Sequence, residues 1–167
     1  YRPDRRGGSG GLWLPWNSMI LSGLVRYGHR PLAAHLFRRI MDGLLECVRQ
    51  EKAFFEAYNA DVPQGLGERQ DVAGAAPVEA LLEILGLQLA TPRRVRLEGH
   101  HPFDRPMSVS WRGLTVRRET AVTRITFPDG QQIELDGDEA RWVEQLDPST
   151  DHPPPPTSAG AAAGRRP

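Results

Sequence analysis

The sequence predicts an α+β chain in which helices come first and strands follow. Three observations carry that reading. Apolar residues recur at helical spacing between about residue 17 and residue 85. From Thr91-Pro92 onward the period changes to alternation in short runs. Gly, Pro and Asp separate those runs, as turns between antiparallel strands require.

Residues 1–12 are rich in Arg and Gly and read as loop. Ile20, Leu21, Leu24 and Val25 give the first helix its apolar face, with Asn17 as the expected N-cap and Gly28 as the stop. Pro31 suits the first turn of a second helix. Its stripe is Leu32, Leu36, Phe37, Ile40, Met41, Leu44, Leu45 and Val48, wide enough for a helix packed in a larger helical layer. Cys47 lies beside that stripe and reads as a half-buried, inert thiol, with no base nearby in sequence to activate it. Residues 59–76 hold few bulky apolar groups and read as a loop. A third helix runs from about Pro77 to Leu85 on Val78, Leu81, Leu82 and Leu85, and Gly86 ends it.

The alternating runs "RRVRLEG", "MSVSWRG", "LTVRRE", "AVTRITF", "QQIEL" and "RWVEQL" predict a small antiparallel sheet or sandwich. Asp129-Gly130 between two of them is a hairpin turn signal. The Pro- and Ala-rich tail, 147–167, lacks the apolar residues for a core and reads as disordered. The expected organisation is therefore 1–90 helical, 91–146 a small β domain, and 147–167 tail. The wide helical faces ask for partners this chain does not contain, so the helical part reads as the end of a longer helical domain.

Composition narrows the function. The 21 basic and 21 acidic side chains cancel, and no basic patch points to nucleic acid. The balance is uneven locally: residues 1–50 carry eight Arg and three acids, whereas 51–90 carry two bases and seven acids. An acidic, polar segment suits either a solvated surface or a site for neutral, hydroxyl-rich ligands. The single cysteine excludes an internal disulfide, so a reducing, cytoplasmic setting is expected. No run is long and apolar enough for a membrane span, and the first residues hold no apolar signal core.

Two places can carry chemistry. Trp13 and Trp16, in "GGLWLPWNSM", are either a stacking wall for the apolar face of a sugar or core residues bridging loop and helix. Glu56, in "FFEAYNADVPQGLGE", lies among Phe54, Phe55 and Tyr58 and close to Asn59 and Asp61. It is either a helix-end glutamate or one carboxylate of a glycosidase pair, in which one carboxyl protonates the leaving oxygen and the other activates water or attacks carbon. Apolar neighbours raise a carboxyl pKa and polar ones keep it ionised, which is how such a pair divides its roles. No metal site is expected. His100 and His101 are adjacent and would point to opposite faces of a strand, and no His/Cys cluster has zinc spacing. "GLGE" (65–68) lacks the Lys and preceding strand of a phosphate loop, and no Ser stands in an elbow motif.

These segments resemble a clan of (α/α)6-barrel glycosidases that includes glycoside hydrolase family 63, mannosylglycerate- and glucosylglycerate-hydrolase-like enzymes, and amylo-α-1,6-glucosidase-like proteins. "GLWLPWNSMILSGLVRYG" (11–28) resembles the clan's R-G-P-x-W-P-N-x-N-Y-L-L-x-R-G-L-x-R-Y-G segment. Trp13 matches its Trp, Asn17 its second Asn, and Arg26-Tyr27-Gly28 its helix end. "FFEAYNADVPQGLGE" resembles F-x-E-x-Y-[ND]-P-x-T-G-x-x-x-G. The alternating C-terminal runs look like the small β domain that follows the barrel, so the resemblance covers about residues 7–146.

The resemblance implies that this chain is the C-terminal part of an inverting α-glycosidase acting on α-glucosides or α-mannosides, of debranching-like or glycosylglycerate-like type. Its helices would be the last of an incomplete (α/α)6 barrel. Glu56 would be the general base, and Trp13, Trp16, Asn17, Tyr58 and Asn59 would bind substrate or orient Glu56. The general acid, an Asp, would lie upstream of Tyr1, since Asp4 sits in the Arg/Gly-rich loop. The partners implied are an oligosaccharide or small glycoside and the missing N-terminal part of the same chain, with no cofactor. The fragment alone is expected to be inactive. An alternative is a non-catalytic carbohydrate-binding or structural module derived from such an enzyme. Three motifs depart from the pattern: "VAGAAPVEA" (72–80) has no Trp, "NADVPQG" has lost the Thr, and "WLP" replaces W-P-N.

Overall fold

A computed structural model of the chain describes residues 11–146. The loop expected before residue 11, Asp4 and the Pro-rich tail lie outside the described residues. Over the described residues the architecture is α+β: three α-helices and nine strands in antiparallel sheets.

Helix α1 (Leu14–Arg26) starts earlier than the Asn17 cap predicts. Trp13 takes the N-cap position and Pro15 sets the first turn. Asn17 is inside the helix, and its Nδ2 donates to the Trp13 carbonyl at 2.8 Å. The chain leaves α1 through Tyr27 and Gly28, whose φ of +83° is the left-handed conformation that glycine adopts freely. Helix α2 (Arg30–Glu51) buries Ala33, Ala34, Phe37, Ile40, Leu44 and Cys47. Cys47 is therefore fully inside rather than half-buried. Helix α3 (Val78–Ile84) is short and buries Ala80 and Ile84. The three helices pack on one another.

Between α2 and α3, the structure differs from the sequence expectation in two places. Glu56 does not close a helix: Lys52 ends α2 in a left-handed conformation (φ 57°), and the chain enters strand β1 (Phe55–Tyr58). The expected loop contains a second strand, β2 (Gly65–Arg69), which pairs antiparallel with β1, and a 3-10 turn, Val72–Gly74. Leu12 bridges Tyr58 through both backbone bonds, which ties the start of α1 to this hairpin.

The remaining strands form two sheets. β3 (Leu87–Thr91), β4 (Arg94–Leu97) and β9 (Arg141–Glu144) are ordered β3-β4-β9. β5 (Met107–Trp111), β6 (Leu114–Arg118), β7 (Val122–Thr126) and β8 (Gln132–Asp136) form a meander. All six alternating runs are strands. The Asp129-Gly130 turn joins β7 to β8: Gly130 has φ +90°, and Asp129 Oδ1 accepts the Gln131 N–H at 2.9 Å. β3 was not foreseen, and the 90/91 boundary falls inside it.

One cluster of buried apolar side chains runs from Leu21, Phe37, Ile40 and Leu44 through Ile84 and Leu85 to Val95, Leu97, Leu114, Val116, Ile125 and Phe127. A buried cation joins the same layers. Arg118, 3% exposed on the inner face of β6, donates to the carbonyls of Leu85, Glu98 and Gly99 and to the Thr123 hydroxyl. Arg30 caps the same end of α3, donating to the carbonyls of Glu83 (2.8 Å) and Ile84 (3.0 Å). Cations at a helix C-terminus satisfy its unpaired carbonyls and complement its dipole.

Candidate functional site

Glu56 stands at an irregularity in the β1–β2 ladder. Phe55 opposes Arg69 and Ala57 opposes Leu66, so Glu56 faces both Gly67 and Glu68. That two-for-one pairing is a β-bulge with a glycine at its left-handed position, Gly67 having φ +81°. The extra residue bends the strand and turns the Glu68 N–H toward Glu56, whose Oε2 accepts it at 3.4 Å.

Close approaches explain the two glycines of "GLGE" and a third at Gly74. A Cβ on Gly65 would stand 2.1 Å from the Phe55 ring, and one on Gly67 would stand 2.5 Å from Glu56 Oε2. A Cβ on Gly74 would stand 1.7 Å from the Phe55 carbonyl oxygen. Phe55 and Glu56 thus lie across β2 in space that only glycine leaves open. The Arg69 guanidinium lies over the Phe55 ring, 5.8 Å from its centroid.

Tyr58 is 3% exposed. Its hydroxyl donates to the Gly74 carbonyl (2.7 Å) and accepts the Phe55 N–H (3.3 Å). Burial pushes the phenol pKa up, which keeps the hydroxyl a donor. Asn59 Oδ1 accepts the Asp61 N–H (2.9 Å) and the Val62 N–H (3.3 Å), an Asx turn that shapes the hairpin loop. Both residues therefore hold the strand that carries Glu56.

Trp13 and Trp16 are 36% and 57% exposed, so neither is a core residue. Their rings lie 5.8 Å apart at 55°. The Leu12–Tyr58 bridge is antiparallel, so Trp13 comes level with Ala57, next to Glu56 along the chain. Asn17 fixes the Trp13 carbonyl from one turn further on.

Three clefts lie among the described residues. One of about 680 Å³ runs between α1 and α3, past Met19, Tyr27 and Val78. One of about 580 Å³ shares Ser22, Arg26, Glu79 and Glu83 with it and extends past Arg30, Gly86 and Arg96. A third, about 270 Å³, lies between α2 and the β1–β2 loop and touches Tyr58 and Asn59. Glu56 lines none of the three.

His100 and His101 fall in the loop after β4, not on a strand. His101 is buried, with Nε2 at 2.8 Å from the Arg105 carbonyl and its ring against Phe103. Among the described residues, no three His, Cys, Asp or Glu side chains stand together as a metal site, and no helix is long and apolar enough to cross a membrane. Arg118 is the residue that sequence reasoning missed. Its signal was parity, since Leu114, Val116 and Arg118 share one face of β6.

Compared with protein-family models, curated proteins and solved structures, the chain has no match.

Proposed function

We propose that this chain is the C-terminal part of an inverting α-glycosidase of the (α/α)6-barrel class, with Glu56 as the general base. The observation that carries the reading is the bulge at Glu56. Bulges re-aim side chains next to active sites, and here one carboxylate is placed over glycine by a hairpin whose loop is built by Asn59 and whose root is tied by Tyr58. Trp13 and Trp16 offer solvent-facing indole surface at the start of α1, which Leu12 ties to Tyr58, suited to the apolar face of a sugar.

In this reading, Glu56 takes a proton from a water that attacks the anomeric carbon from the face opposite the leaving oxygen. A second carboxyl group, supplied by the upstream part of the polypeptide, protonates that oxygen. The two stand about 6.5–9.5 Å apart in an inverting pair, with the water between them. The second carboxyl group is therefore expected in the part of the barrel that faces this strand. The outer face of α1 supports the same view. Trp16, Met19 and Ile20 are exposed on a helix with Arg26 as its one charged side chain, and Tyr27 is exposed at its C-cap. The substrate class is an α-glucoside or α-mannoside, and the chemistry uses no cofactor.

The same α1 face favours the second reading, a non-catalytic binding or interaction module. The sheets lend it less. The outward face of β5–β8 carries Ser108, Ser110, Thr115, Arg117, Arg124 and Glu134, and the exposed Trp142 is covered by Arg94 at 4.3 Å. Hydrolysis of α-glucosides and α-mannosides by the full-length parent, with and without Glu56→Gln, separates the two. The glycosidase reading expects a loss of about 10²–10⁴ in rate. A parent that hydrolyses none of them favours the module.

A further inference from the structure

We infer that Gly67 is a positioning residue for Glu56: the missing side chain at 67 sets where the carboxylate stands. This rests on the reading of Glu56 as the base. Of the three glycines around Phe55 and Glu56, Gly65 and Gly74 border the Phe55 ring and backbone, so a side chain there displaces the framework. At Gly67 the nearest atoms all belong to Glu56: Oε2 at 2.5 Å, Cβ at 3.1 Å and Cδ at 3.2 Å from a built Cβ. The atom met most closely is the end of a flexible side chain, and it is one of the two carboxylate oxygens of the proposed base. The left-handed φ of +81° keeps the bulge in place, and the bulge presents the Glu68 N–H to the same oxygen. Gly67 thus both opens the space and aims the donor.

The test separates the carboxylate's position from backbone strain. Gly67→Ala adds the Cβ and disfavours the positive φ. Gly67→Asn adds the Cβ while tolerating that φ, and it carries the test if the alanine variant does not fold. Gly130→Ala is the strain control, because Gly130 has φ +90° and open space around it. In the 167-residue chain, the Glu56 carboxyl carbon is assigned by NMR from its loss in Glu56→Gln. Both Gly67 variants are expected to move that signal and to shift the Glu68 amide proton, and Gly130→Ala is expected to leave both in place. Unmoved signals in the Gly67 variants overturn the inference.

Activity decides the catalytic meaning, with α-glucosyl fluoride and α-mannosyl fluoride as probes of the full-length parent. The Gly67 variants are expected to lower kcat about 10- to 100-fold with little change in KM, the pattern of a misplaced base rather than a lost binding contact. If Glu56→Gln inactivates the parent but the Gly67 variants match Gly130→Ala, the positioning role is wrong and the glycosidase reading stands. If the parent ignores Glu56→Gln, the reading fails and the catalytic role of Gly67 fails with it.

Discussion

Replacing Arg118 with Met removes the cation that joins β6 to the end of α3. Burial, and then the neighbouring Arg30, push the guanidinium below its ordinary pKa, so the charge is held at a cost. Its return is in hydrogen bonds. The contacts to Leu85 and Gly99 are short, while those to Thr123 (3.3 Å) and Glu98 (3.4 Å) are long. A bond from a charged donor contributes about 1.5–3 kcal/mol, so the two short ones give roughly 3–6 kcal/mol. The desolvation of the cation offsets part of that, and Met recovers some apolar burial. The expected net loss is about 2–4 kcal/mol. With a urea m-value near 2 kcal/mol/M, the unfolding midpoint should fall by about 1–2 M. Arg118→Lys should not restore it, because an ammonium lacks the planar fork that reaches several carbonyls at once. A midpoint for Arg118→Met within about 0.3 M of wild type would refute the assignment of Arg118 as the link between the layers.

Three further outcomes follow from the geometry. Arg38 hydrogen-bonds Asp104 at 2.7 Å and holds its carboxyl below the usual range. A folded-state pKa below the unfolded one gives stability that is present above the unfolded value, near pH 4, and lost as pH falls through the folded one. Asp104→Asn should therefore flatten the acid side of a plot of Tm against pH and leave its neutral arm nearly parallel to wild type. Cys47 has no exposed surface, and burial, then Glu51, push its thiol up. It should resist a thiol reagent in the native protein and react in full on denaturation, and rapid labelling without denaturant would contradict its place in the core. Gly74→Ala should lower Tm well beyond Gly130→Ala, since its Cβ meets a backbone carbonyl at 1.7 Å while that of Gly130 meets open space. Such overpacking costs about 1–3 kcal/mol or more.

The strands after residue 91 were legible because each alternates over its own length and ends at a turn residue. Leu114, Val116, Thr123 and Ile125 point inward as alternation requires, and Asp129-Gly130 makes the turn its residue types predict. The helices were legible as elements, but their stripes only in part: Ile20, Leu32, Leu45 and Val78 are exposed, α2 buries Ala33 and Ala34, α3 buries Ala80 and Ile84, and Pro15 rather than Asn17 sets the start of α1. The β1–β2 hairpin was not legible. Glycine weakens strand propensity, so "GLGER" reads as loop. Its glycines are there for Phe55 and Glu56 on the other strand, a reason that exists only once the strands pair. β3 was hidden by continuity, because "EILGLQLA" carries apolar residues straight from α3 into the strand. Of the candidate site, the residue types were legible and their division of labour was not. Tyr58 and Asn59 spend their polar atoms on the hairpin, and Trp13 and Trp16 keep exposed ring surface.

The measurement that tests the central claim most directly is the anomeric form of the first product. The full-length parent is mixed with an α-glucoside or α-mannoside, and the reaction is followed by proton NMR before the sugar mutarotates. A base that activates water for direct displacement predicts the β-anomer first, and Glu56→Gln should abolish its appearance. An α-anomer as first product would mean retention through a covalent intermediate, with carboxyls about 5–5.5 Å apart, and would contradict the role given to Glu56.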